Sequence, residues 1–141
     1  NFWSINNIYF GTIWASINKE GQSITKTVAA QGPHTPGYAS PEQLKNEKRF
    51  ISYKSDIYCL GIVLAELILG VNPFNPSIVG MGLSCNDNIL NNSFCLRTPN
   101  ITISDNAQEI ISKMLRYHPY ERYRKVSLLI KDLEVFIYGK S

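Results

Sequence analysis

Most of the groups in this chain that could do chemistry fall in four short stretches. They are T-P-G-Y-A-S-P-E at 35–42, S-D-I-Y-C-L-G at 55–61, G-V-N-P-F at 70–74 and H-P-Y-E-R at 118–122. Among their charged groups are Glu42, Asp56 and Arg122. Such charges contribute under about 1 kcal/mol as exposed pairs and serve as structural locks only when buried together. Metal chemistry is not suggested. Cys59, Cys85 and Cys95, with His34 and His118, lack zinc-ligand spacing. An odd number of cysteines reads most simply as free thiols in a reducing compartment. Asn91-Asn92-Ser93 and Asn100-Ile101-Thr102 match glycosylation sequons, read here as chance in an asparagine-rich cytosolic chain.

These stretches need elements to hold them, and the stretch from Tyr53 to Phe74 is the strongest. From Ile57 to Val71 nearly every residue is apolar, on all sides of a helical wheel, which predicts a helix buried all round. Ser55 is the expected N-cap, Asp56 suits the positive end of the helix dipole, and Gly70 with Pro73 forms the stop. The run is too short for a membrane span and contains Glu66. Ser40-Pro41-Glu42-Gln43 predicts a short helix: serine caps, proline takes the first position, and Gln43 completes a capping box.

On either side the signals are weaker. Residues 2–8 and 12–17 read as short strands, and 18–37 as a polar loop punctuated by Gly21, Gly32, Pro33, Pro36 and Gly37. Residues 75–98 show no clear period. From Ser104, helical spacing returns in Ala107, Ile110, Ile111, Met114 and Leu115, stopping before Pro119. A last helix carries Val126, Leu129, Ile130, Leu133, Phe136 and Ile137 on one face. The fold expected is mostly α, a helical bundle around a buried central helix with a short β segment at the N-terminus. At 44% hydrophobic and 18% charged, the 141 residues can bury a core. A net charge of +3 is too weak to argue for nucleic acid or an anionic membrane. The chain opens on NFWSINNIYFG, without a signal peptide and as though cut from mid-domain, so a cytoplasmic location is expected.

The four stretches, in that order, resemble the large carboxy-terminal lobe of a protein kinase, over about residues 8–138. T-P-x-Y resembles serine/threonine rather than tyrosine kinases, and Y-A-S-P-E-Q with S-D-I-Y-x-L-G looks most like kinases of the bacterial type. The resemblance implies a partial kinase domain, with an activation segment over about 9–42 and a helical lobe over 43–138. It implies that Glu42 and Arg122 form the family's buried ion pair, tying the activation segment to the lobe. Asp56 matches the aspartate that anchors the catalytic loop through backbone N–H groups. Thr35 matches the threonine whose hydroxyl meets the catalytic aspartate, and Gly37, Tyr38 and Ala39 fall where the residue after the phospho-acceptor docks. Ser23, Thr25 and Thr27 sit where an activation loop is commonly phosphorylated; a phosphate there would pair with arginine, whereas unmodified they are solvated loop hydroxyls.

The pattern departs from the family in several places. A kinase uses a Gly-rich loop, a strand lysine, a His-Arg-Asp loop with its asparagine, and an Asp-Phe-Gly for magnesium. The first three have no counterpart in the sequence. For the fourth, Tyr9-Phe10-Gly11 stands at a plausible distance before Pro41, with tyrosine in place of the metal-binding aspartate. Magnesium takes hard anionic oxygens, and a phenol with a pKa of about 10 stays neutral at physiological pH. The degenerate motif therefore marks a pseudokinase, a coincidence or a degraded gene product. Gly32 is separated from Thr35 by Pro33-His34, and His118 stands where aspartate is usual.

The reaction implied is transfer of the ATP γ-phosphoryl group to a protein serine or threonine, with ATP and Mg2+ as the family's cofactors. Neither is expected to bind this chain alone, so no catalytic residue and no metal ligand is assigned within it. The alternative is a pseudokinase or scaffold lobe that binds partner proteins. Implied partners are a protein substrate or regulatory protein and the kinase N-lobe in cis, without nucleic acid or membrane. A lobe without its partner would expose an apolar face, so the isolated chain is expected to be marginally stable or aggregation-prone.

Overall fold

Serine and asparagine side chains open most of the helices. The computed structural model describes residues 37–139. Helix α1 (Pro41–Leu44) starts at Ser40, whose hydroxyl accepts from the Gln43 N–H while the Gln43 side chain returns to the Ser40 N–H. A 3-10 turn (Lys48–Phe50) leads into α2 (Tyr53–Leu69). Ser52, not the expected Ser55, caps α2. Ser55 lies one turn inside and completes the box by accepting from the Ser52 N–H at 3.2 Å. Either serine could cap, and the apolar run beginning only at Ile57 obscured the extra turn. Gly70 ends the helix in the left-handed region, φ +78°, as a C-terminal stop requires.

Residues 75–98, where the sequence shows no period, contain two short helices, α3 (Pro76–Val79) and α4 (Cys85–Leu90). Asn75 and Ser84 cap them. Their turns are too short to repeat an apolar spacing, so only the caps could have announced them. Next come α5 (Asp105–Met114), capped by Ser104, a 3-10 turn (Pro119–Glu121), and α6 (Val126–Tyr138), which ends at Gly139 with φ +67°. The described residues contain no named strand, only an isolated antiparallel bridge between Arg97 and Thr102. The expected β segment lies outside them. The fold is mostly α, as its periodicities required.

Helix α2 is the centre. One side contributes Tyr58, Ile62, Ala65 and Leu69 to a cluster with Phe74, Ile89, Ile103, Ala107, Ile111 and Leu115. The other sends Ile57 and Leu60 against Ile110, Met114, Tyr123 and Leu129. A helix that feeds two cores must be apolar on opposite faces, which accounts for the unbroken hydrophobic run. The burial is not complete. Leu67 and Ile68 in the last turn are 42% and 41% exposed. The α6 stripe is also narrower than its sequence implies: Leu129 is buried and Val126 and Leu133 half-buried, whereas Ile130, Phe136 and Ile137 face solvent. No helix among the described residues is long and apolar enough to cross a membrane.

Candidate functional site

The segment 37–42 is fastened to the helical body at both ends. At its start Gly37 has φ +84°, a conformation that disfavours any side chain. A β-carbon there would also come within 3.0 Å of Cys85 Cβ and 3.1 Å of Asn72 Nδ2. Two asparagines hold its main chain: the Gly37 N–H donates to Asn86 Oδ1 at 2.8 Å, and Asn72 Nδ2 donates to the Gly37 carbonyl at 2.7 Å. Asn72 is itself fixed by accepting from the Phe74 N–H at 2.8 Å, within the G-V-N-P-F turn after α2. The Tyr38 hydroxyl donates to Glu66 Oε2, one reason for a carboxylate near the end of an apolar helix. Ala39 and Ser40 are buried.

At the other end Glu42 meets Arg122. Nη1 donates to Glu42 Oε2 at 2.7 Å and Nη2 to Oε1 at 2.9 Å, a bidentate pair between residues each 2% exposed. The remaining donors of the guanidinium are met as well. Nε reaches the Arg116 carbonyl at 2.7 Å, Nη1 the Lys54 carbonyl at 2.9 Å and Nη2 the Tyr117 carbonyl at 3.0 Å. Five N–H groups thus find five acceptors, and the guanidinium carbon lies 4.7 Å from the centre of the Tyr58 ring. Ser55 Oγ donates to Glu42 Oε2 at 2.7 Å. Desolvation pushes the Glu42 carboxyl upward, but the bond and charge of Arg122, with the Ser55 hydroxyl, bring it below the ordinary glutamate value. A buried charge is tolerable only with this degree of pairing.

Asp56, in the first turn of α2, is 2% exposed. Cys59 is buried, its Sγ 3.6 Å from Gln43 Oε1, and burial pushes its thiol far up, out of the nucleophilic range. Among the described residues, no group of three or more His, Cys, Asp or Glu could hold a metal ion. The structure therefore brings Glu42 and Arg122 together and sets Gly37, Tyr38 and Ala39 beside them on one fastened segment. Tyr9, Phe10, Gly11, Ser23, Thr25, Thr27 and Thr35 lie outside the described residues. Asn72 and Asn86 were missed from sequence. Asn72 stands inside a recognised motif, where it could have been noticed, whereas Asn86 lies in the stretch without a period.

The family profile described as protein kinase domain matches residues 14–132. A probable serine/threonine-protein kinase of Clostridium perfringens is 35% identical over 98 residues, 69% of this chain and 14% of that protein. The serine/threonine-protein kinase PknB of Mycolicibacterium smegmatis is 44% identical over 54 residues, 38% of this chain and 8% of its own length. Histidine protein kinase 1 of Candida albicans is 31% identical over 103 residues, 68% of this chain and 4% of that protein. The chain thus spans a small part of each of these three relatives.

Proposed function

This chain belongs to the protein kinase family, and from that premise we propose that it is the helical, substrate-docking lobe of a serine/threonine protein kinase domain. The observation that carries the reading is the double fastening of residues 37–42, Gly37 between Asn72 and Asn86 and Glu42 on Arg122. A segment held rigid in this way can present a protein hydroxyl at fixed geometry, and positioning is most of what phosphoryl transfer asks of a protein. In this reading residues 9–42 are the activation segment and 43–138 the lobe. Gly37, Tyr38 and Ala39 dock the substrate chain, Thr35 faces the catalytic aspartate, and Asp56 anchors the catalytic loop. Ser23, Thr25 and Thr27 are candidate phosphorylation sites, and the setting is cytoplasmic.

The reaction of the whole domain would be transfer of the ATP γ-phosphoryl group to a protein hydroxyl, with Mg2+. These 141 residues contain no His-Arg-Asp and no Asp-Phe-Gly, so alone they should be inactive. The test is a radiolabelled ATP assay on the chain by itself and on the product of its full coding region. Label transferred by the 141-residue chain alone would defeat the inactivity, and transfer by the full product would support the kinase reading.

A second reading is a pseudokinase lobe that binds partner proteins. Tyr9 where the family has its metal-binding aspartate favours it. Tyr9→Asp in the full-length product separates the two: activity gained on substitution identifies a lapsed metal site and supports the second reading.

A further inference from the structure

Beside the Glu42–Arg122 pair, and making no use of Gly37, Tyr38 or Ala39, the surface opens into a groove of about 480 Å³. Aromatic rings line it: Phe50, Tyr53, Tyr117 and Tyr120. Phe50 is 42% exposed and Tyr120 72%. Concave surfaces rich in exposed aromatic side chains are characteristic of recognition sites, because a ring provides contact area at little conformational cost. The cations here rest on rings. The Arg49 guanidinium carbon is 4.6 Å from the Phe50 ring centre, and Lys45 Nζ is 4.9 Å from that of Tyr117.

The rim is positive. Lys45, Arg49 and Lys54 line it against Glu42 and Glu47. The ion pairs among the described residues are Lys45–Glu47 at 3.0 Å and Glu42–Arg122. Among the described residues, Arg49 and Lys54, both on the groove, have no carboxylate in ion-pair contact. The Glu42 charge at the groove's edge is cancelled by Arg122, so the field over the rings is that of these two cations.

We infer that this groove docks a short acidic segment of a partner protein, one aromatic side chain lying among Phe50, Tyr117 and Tyr120 while flanking carboxylates meet Arg49 and Lys54. A polyanion such as nucleic acid would use the cations and leave the rings idle, and the chain's charge of +3 is small for that purpose. The inference is independent of whether the domain transfers phosphate.

The test titrates the 141-residue chain into fluorescein-labelled Glu-Glu-Phe-Glu-Glu, followed by anisotropy at low and high salt. Saturable, salt-weakened binding is expected, reduced about tenfold or more by Phe50→Ala and by the double variant Arg49→Glu/Lys54→Glu. Tyr120→Ser, at the most exposed ring, serves as a second aromatic variant should circular dichroism show Phe50→Ala to be misfolded. Absence of saturable binding would overturn the proposal. So would equal affinity for Glu-Glu-Ser-Glu-Glu, or binding of heparin that is indifferent to the ring variants, since either would reveal a surface that reads charge only.

Discussion

Gly61 and Leu115 touch where α2 and α5 cross: a β-carbon on Gly61 would stand 2.9 Å from Leu115 Cδ2 and 2.9 Å from Met114 Cβ. Glycine here serves helix approach, at some loss of helix propensity. Alanine would regain about 1 kcal/mol of that propensity, but overpacking of this kind costs about 1–3 kcal/mol. Gly61→Ala should therefore lower the urea midpoint modestly and Gly61→Leu severely. A raised midpoint for the alanine variant would mean that the helices have room to spare.

Arg122→Ala should destabilise the chain by about 3–5 kcal/mol, because it strands the buried Glu42 carboxylate and leaves three carbonyls without their donor. Removing both partners, in Glu42→Leu/Arg122→Met, should cost less than the two single losses added together. The pair also gives a pH dependence. The folded Glu42 carboxyl titrates below its ordinary value of 4.5, so its contribution is fully present above that value and is lost as pH falls through the folded pKa. Glu42→Gln should flatten this part of the acid limb. An unchanged slope of stability against pH below 4.5 would contradict the pairing.

Asn72→Ala removes the donor to the Gly37 carbonyl and the acceptor for the Phe74 N–H. A buried group left unsatisfied costs about 1–3 kcal/mol. The signature is local: amide hydrogen exchange at Phe74, whose N–H loses its acceptor, should accelerate before that of the α2 core. Uniform acceleration across α2 would instead indicate a general loss of stability.

Cys59 should resist thiol reagents until the protein unfolds, since burial both shields the sulfur and suppresses the thiolate. Cys85 and Cys95 are only half-buried and should react in the native state, Cys85 more slowly because desolvation, and then Glu66, raise its pKa. Counting reactive thiols with and without denaturant checks this. Three fast thiols in the native protein would be incompatible with the packing of α2.

Leu67 and Ile68 on α2, with Ile130 and Ile137 on α6, present large apolar side chains to solvent. Concentration-dependent melting and light scattering are expected of the isolated chain. Leu67→Lys combined with Ile137→Lys should suppress both without lowering the intrinsic stability. A concentration-independent melt of the unmodified chain would count against this.

Much of the architecture could be read directly, because it rests on local rules. The all-round apolar run from Ile57 predicted the central helix, the period from Ala107 predicted α5, and the Ser40-to-Gln43 spacing predicted the capping box of α1. Where two local solutions were equally good, reading failed by a turn, as with Ser52 and Ser55. Helices α3 and α4 are too short for periodicity, so they went unplaced.

The candidate site divides in the same way. The identities of Glu42 and Arg122, and the glycine at 37, are properties of the chain that motif order alone could single out. Tertiary structure decided that a carboxylate and a guanidinium 80 residues apart share a buried space and satisfy each other's bonds. It also decided that Asn72 and Asn86 close on one glycine, and that Phe50, Tyr117 and Tyr120 surround one groove. Helical period and capping depend on neighbours within one or two turns, so sequence determines them. Partners distant along the chain meet only after α2 has been buried between its two cores, and no local pattern encodes that meeting.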